Sequence, residues 1–108
     1  AIAKLRAEHP ALRTGQSVPL GTDNNAVFAM LRYNENQVLL VLANLSKEPV
    51  SDYRLSLEES VLRKTASQPK VLFGQAQPAA LSSENGMFSN YQPLSELPAY
   101  QMLVLEIE

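Results

Sequence analysis

Few residues in this chain have the chemistry that catalysis requires. His9 is the only histidine among 108 residues and there is no cysteine, so the sequence lacks the ligands of a zinc site. His9 falls on the apolar face of a predicted helix beside Pro10, where a packing or capping role is favoured over a catalytic one. We therefore predict no catalytic residue, no bound metal and no cofactor in this chain.

The acidic residues do not form a recognisable pair. Glycosidic bond cleavage uses two carboxylates that face each other across a cleft, but most of the 11 acidic residues here fall in predicted turns or at strand ends. Glu58 and Glu59 are adjacent and are interpreted as a solvated charge pair. Residues 23–25 lack the ligand spacing of a calcium loop, and Asn-Leu-Ser at 44–46, although it fits a glycosylation acceptor, is interpreted as a strand end and turn.

Aromatic residues offer a second kind of chemistry, because sugar-binding surfaces are built on exposed rings with polar neighbours. The chain has no tryptophan and four tyrosines. Tyr33, Tyr53 and Tyr91 are the candidates for sugar contacts. The competing interpretation is that these rings pack in the core or at sheet edges, as most aromatic residues do.

Charge and hydropathy exclude two classes of partner. The formal net charge is −2, with both signs scattered along the chain, so no basic stripe is present to follow a nucleic-acid backbone. The longest apolar run, residues 38–43, falls far short of the roughly 20 residues that a membrane helix needs. We predict neither a nucleic-acid nor a membrane partner, and the length fits one domain.

The first 14 residues predict a short amphipathic helix. Ile2, Leu5, His9 and Leu12 are spaced by three and four residues and share one helical face. No capping residue precedes them, and a helix this short is marginal unless it packs on something. We therefore expect residues 1–14 to be the remnant of a longer protein, with this face directed at a partner domain.

Residues 15–108 predict an all-β domain. Residues 26–33 and 37–44 form the clearest hairpin, residues 50–57 alternate between apolar and polar, and residues 101–107 predict a final strand. Turn signals recur between them, including Asn-Gly at 85–86. The pattern predicts about seven or eight short strands in an antiparallel β-sandwich of Greek-key type.

Two of the predicted strands are apolar on both faces. Residues 38–43 and 102–105 do not alternate as strands with one solvated face do. We predict that they are neighbours in one sheet and that a partner domain covers the outer face of that sheet, since so large an apolar patch is rare on a monomer. The candidate interface residues on these strands are Leu39, Val41, Leu103 and Leu105.

The order of these motifs resembles the α-amylase family of glycoside hydrolases. Leu5-Arg6, residues 9–13 (HPALR) and Gly15 resemble the end of the last helix of the catalytic barrel. Residues 27–32, 38–46 and 97–105 resemble, in order, three strands of the domain that follows the barrel. The stretch from 58 to 90 matches no pattern of the family.

The resemblance implies a β-sandwich C-terminal domain after a (β/α)₈ barrel, with residues 1–14 from the last barrel helix. In the family the catalytic carboxylates lie on barrel strands, so none is carried over to this chain. The leading hypothesis is a non-catalytic accessory domain that packs against the barrel of the same parent chain and stabilises an α-glucan-processing enzyme. The alternative is a carbohydrate-binding module that holds an α-glucan through the three tyrosines.

A third hypothesis is a free-standing sandwich that binds another protein, although the uncapped helix and the family resemblance count against it. The docking hypothesis has a further consequence. An apolar interface left without its partner is expected to drive dimer formation.

Overall fold

A computed structural model describes residues 16–22, 24–34, 37–74 and 76–108. The predicted helix over 1–14, with Ile2, Leu5, His9 and Leu12, lies outside these residues. All regular elements among these residues are strands, and this part of the chain has no helix long and apolar enough to cross a membrane. The strands are β1 Gln16–Pro19, β2 Gly21–Thr22, β3 Val27–Tyr33, β4 Val38–Asn44, β5 Leu55–Leu57, β6 Ala66–Ser67, β7 Lys70–Phe73, β8 Leu81–Ser82, β9 Phe88–Tyr91 and β10 Met102–Glu106.

The larger sheet has five antiparallel strands in the order β1-β3-β4-β10-β7. β3 and β4 form the predicted hairpin, with Val27 opposite Asn44 and Tyr33 opposite Val38. β10 returns over a long connection and lies between β4 and β7. The prediction that the two strands with apolar faces are neighbours is confirmed, because Leu42 of β4 pairs with Leu103 of β10.

A smaller sheet, β2-β5-β9, packs against the larger one to complete the sandwich, and β6 pairs with β8 beside them. Leu55 and Leu57 of the smaller sheet share one buried cluster with Leu42 and Leu103 of the larger sheet. Burial of this apolar surface is the main force that holds the two sheets together. The all-β antiparallel prediction is confirmed.

The described residues contain more strands than the sequence predicted, because β2, β6 and β8 each have two residues and are too short to show a period. The strand predicted over 50–57 is regular only at Leu55–Leu57. Val50 instead forms an isolated bridge with Leu97, which holds the start of this segment against the loop before β10.

The Asn-Gly turn at 85–86 forms as predicted. Asn85 and Gly86 have φ values of 56° and 79°, as both central residues of a tight hairpin turn of the mirror-image type require. The Glu84 amide donates to the Met87 carbonyl at 2.8 Å, and the Met87 amide donates back at 3.0 Å. This turn closes the hairpin that leads into β9.

Gly86→Ala tests the turn. A Cβ at Gly86 would clash with Ser60 Oγ and lie 2.9 Å from the carbonyl oxygen of Leu62, in a conformation that alanine disfavours. We expect a loss of about 2 kcal/mol in the free energy of unfolding, measured by urea denaturation. Gly21→Ala is the control, because its Cβ would approach only the movable Ser56 hydroxyl closely and the backbone there has no positive φ. Equal losses for the two variants would contradict this explanation.

Candidate docking surface

The larger sheet has a second apolar cluster on its outer face. Because side chains alternate along a strand, Leu40 and Leu42 of β4 enter the core between the sheets while Leu39 and Val41 lie on the opposite face. Val41 packs with Val104 of β10 in a small cluster separate from the core. Met30, Leu72 and Phe73 pack against these two valines.

The strand register arranges this outer face in rows across β3, β4 and β10. Phe28, Ala43 and Met102 form the first row; Met30, Val41 and Val104 form the second; Arg32, Leu39 and Glu106 form the third. The second and third rows are buried at their centres, at Val41 and Leu39. The first row is open, with Phe28 46% exposed and Met102 37% exposed.

Two more apolar side chains extend the open row. Leu45 is 63% exposed and Tyr100 is 68% exposed, and these with Phe28 and Met102 are the large hydrophobic residues that the described part of the chain exposes. Leu45 lies beside the start of β3, since its amide donates to the Ala26 carbonyl at 2.7 Å. The Tyr100 amide donates to the Ser46 carbonyl at 3.1 Å. We call Phe28, Ala43, Leu45, Tyr100 and Met102 the apolar rim.

Asn44 holds together the backbone segments that carry the apolar rim. Its side chain is 1% exposed, and Nδ2 donates to the carbonyls of Glu48, Leu97 and Pro98 at 2.9, 3.1 and 3.1 Å. Its Oδ1 accepts from the amide and the hydroxyl of Ser46, both at 2.9 Å. One side chain thus ties the end of β4 to the loop that carries Tyr100. Because this buried amide is fully engaged, the strand-end interpretation of residues 44–46 is supported over a glycosylation site.

The sequence-based interface candidates divide between the two faces of the sheet. Leu39 and Val41 lie on the outer face, as proposed. Leu103 and Leu105 are fully buried in the core between the sheets, because they pair with Leu42 and Leu40, which point inward. The residues of β10 that belong to the outer face are its alternate ones: Met102, Val104 and Glu106.

The sequence analysis missed Phe28, Met102, Tyr100 and Asn44. The sequence signal for Phe28 and Met102 was the alternation of side chains along a strand. Once the register with β4 is known, this alternation places both residues on the same face as Val41. No sequence signal marked Tyr100 as exposed.

The tyrosines proposed as sugar contacts do not form a surface platform. Tyr53 and Tyr91 are 1% and 7% exposed, and their hydroxyls donate to the carbonyls of Leu94 and Ala79. The Tyr91 ring meets Phe88 edge to face within the core. Tyr33 is half-buried and hydrogen-bonded to Gln16 at 3.2 Å. Burial therefore corrects the candidate role of Tyr53 and Tyr91, since neither ring can stack on a sugar.

An open groove of about 640 Å³, with both polar and apolar lining residues, runs beside β5 and β9. Glu58 and Glu84 line it, together with serines at positions 56, 82, 83 and 89. Both glutamates are exposed, whereas the general acid of a glycosidase is protonated by a desolvating environment. Among the described residues no three His, Cys, Asp or Glu side chains group as a metal site.

Comparisons with known proteins relate the fold to larger enzymes. The chain is similar to the solved structure of an α-amylase from H. orenii, with 28% identity and a TM-score of 0.59 over 95% of this chain. It is also similar in fold to a mutant of MUTB, from crystals soaked with trehalulose, with 23% identity and a TM-score of 0.59 over 96% of this chain. This chain spans 18% and 16% of the lengths of those two chains. No family model and no curated protein matches the sequence.

Asn44→Ala is expected to lower the free energy of unfolding by about 3 kcal/mol, because it removes a buried side-chain amide that donates to the Glu48, Leu97 and Pro98 carbonyls and accepts from Ser46. Ser46→Ala is the matched control and is expected to cost about 1 kcal/mol, since it removes one hydroxyl from the same network. Urea denaturation measures both. A loss at Asn44 no larger than the loss at Ser46 would show that the amide does not hold the loop.

The buried tyrosines predict a loss of stability in alkali. Burial raises the pKa of Tyr53 and of Tyr91 above the usual value of 10.0. A phenol whose pKa is higher in the folded state ionises first in the unfolded chain, so its contribution is complete below about pH 10 and is lost above it. We expect the free energy of unfolding to fall above that pH by up to about 1.4 kcal/mol per pH unit for each tyrosine.

Tyr91→Phe should make this alkaline fall shallower, whatever its effect at neutral pH. Urea denaturation of both proteins at pH 8 and at pH 10.5 measures the difference. An identical fall in the variant would contradict the assignment to Tyr91.

Proposed function

We propose that this chain is a non-catalytic accessory domain of an α-glucan-processing glycoside hydrolase of the α-amylase family, and that it packs its larger sheet against the catalytic (β/α)₈ barrel of the same parent chain. The observation that carries the proposal is the apolar rim, whose large side chains are exposed beside a second apolar cluster that lies outside the sandwich core. Its function is to stabilise the catalytic body, and the parent reaction takes place elsewhere.

The composition of the outer face supports a lasting contact. Its middle row is made of Met30, Val41 and Val104, and its open row is apolar from Phe28 to Met102. A freely moving module would present a more polar surface to its neighbour. The charged groups Arg32 and Glu106 are confined to the third row, at the far side of the face from the apolar rim.

The comparisons support the choice of partner. The solved α-amylase that resembles 95% of this chain has most of its own length outside the similarity. A catalytic body of that class would supply the residues that this chain lacks. Among the described residues, the carboxylates that line the groove beside β5 and β9 are exposed, which argues against a catalytic role for this chain.

The test is made on the full-length product of the gene. The double variant Phe28→Ser and Met102→Ser places hydroxyls on the open row at partly exposed positions, so it should destabilise the 108-residue chain less than it destabilises the full-length protein. In the full-length protein we expect it to lower by about 5 °C the Tm, followed by the loss of catalytic activity on heating. We also expect it to speed proteolytic release of this domain.

Ser56→Ala with Ser89→Ala, on the smaller sheet, is the matched control and should change neither measurement. Equal Tm values for the full-length protein and the Phe28/Met102 double variant would contradict the proposal. Hydrolysis of starch by the 108-residue chain alone would also contradict it, as would a gene product with no catalytic body.

A further inference from the structure

Tyr100 occupies a turn position that is unusual for its side chain. The Gln101 amide donates to the Pro98 carbonyl at 3.2 Å, so residues 98–101 form a turn with Tyr100 in its third position. Tyr100 has a φ of 56° there. Positive φ at this position is the property of turns that prefer glycine or asparagine. The other non-glycine residues with positive φ in the described chain are both asparagines, at 85 and 90.

The surroundings hold this turn in place. Asn44 Nδ2 donates to the carbonyls of Leu97 and Pro98 just before the turn. The Tyr100 amide donates to the Ser46 carbonyl within the turn, and Gln101 accepts from the Asn44 amide at 2.9 Å just after it. The backbone at Tyr100 is therefore fixed by the end of β4, and no rearrangement of a loose loop is needed to present the residue.

The Tyr100 ring buries little of its surface against the sandwich. Tyr100 is 68% exposed, the largest exposure among the big apolar residues of the described chain. A bulky residue with positive φ persists where the surrounding structure enforces it, and such residues concentrate at functional sites. Glycine at this position would make the isolated domain more stable, because glycine adopts a positive φ without steric cost.

We infer that Tyr100 is the anchor residue of the docking surface, held in advance so that its ring enters an apolar pocket of the catalytic body while its hydroxyl meets a polar group there. This inference rests on the proposed function. Interface anchors are enriched in tyrosine, because its ring is large and rigid and carries a polar end. An anchor that is already held in place loses little conformational entropy on docking.

The occupant is the larger body of the same gene product. This chain resembles 18% of the length of the matched α-amylase chain. The protein of similar fold therefore contains a much larger additional body. Tyr100 also lies at the end of the outer face where Phe28 and Met102 are open. The anchor therefore lies at the same end of the larger sheet as the open row.

The experiment compares one substitution in two settings. Tyr100→Gly relieves the strained backbone, so the 108-residue chain carrying it should melt about 5 °C higher than the parent chain. In the full-length gene product the same substitution should release the domain about tenfold faster under limited proteolysis between the two bodies. Opposite effects of one change in the two settings are the signature of an anchor.

Tyr100→Phe is the matched variant. It keeps the ring and the strained turn, so it should leave the melting temperature of the 108-residue chain unchanged and produce a smaller increase in proteolytic release than Tyr100→Gly does. A lower melting temperature for Tyr100→Gly in the 108-residue chain would overturn the strain argument. Unchanged release for Tyr100→Gly, with faster release for the Phe28 and Met102 double variant, would overturn the anchor while the proposed function stands. Unchanged release for both would overturn the proposed function itself.

Discussion

Strand β4 buries both of its faces, and this constraint governs the arrangement of the rest of the chain. Leu40 and Leu42 complete the core between the sheets, while Leu39 and Val41 are buried on the other side. A strand of this kind must be central, with partners on both edges, and β3 and β10 occupy those edges. The smaller sheet covers one face of β4, and the outer cluster forms on the other face.

Asn44 links these two regions. It ends β4, lies on the inward side of the sheet, and is the buried polar residue among the described positions. Its side-chain amide donates to the Leu97 and Pro98 carbonyls in the loop before β10, which also accept from the backbone amides of Val50 and Gln101. A buried amide is stabilising when every donor and acceptor is used, and it also specifies geometry in a way that apolar contacts do not. The position of the apolar rim is thus set by hydrogen bonds, although its surface is hydrophobic.

The fold was largely predictable from the sequence, because periodicity and turn chemistry are local properties. Runs of apolar residues and the turn residues between them predicted the hairpin of β3 and β4, the turn at Asn85-Gly86 and the adjacency of β4 with β10. The two-residue strands were not predictable, since a pair of residues has no period. The face assignment of Leu103 and Leu105 also depended on a register that sequence alone does not give.

The candidate site was predictable in part. The two-sided hydrophobicity of β4 indicated an outer apolar face, and Leu39 and Val41 were found from it. Tyr53 and Tyr91 were candidates for sugar contacts with core packing as the alternative, and the sequence left both open because tyrosine is compatible with the core and with the surface. Asn44 resembled a glycosylation acceptor for the same reason that it caps the strand: an amide followed two residues later by a hydroxyl also forms a local turn.

The position of β10 has a consequence for synthesis on the ribosome. It is the last strand along the described chain, yet it occupies the interior of the five-stranded sheet between β4 and β7. During translation the edge of β4 that it later covers stays open, with unpaired backbone groups flanked by leucine and valine, and such an edge is a template for pairing with other chains. Nascent chains of this protein are therefore most vulnerable to aggregation in the interval before residues 102–106 emerge, and chaperone binding at that stage would protect the edge of β4.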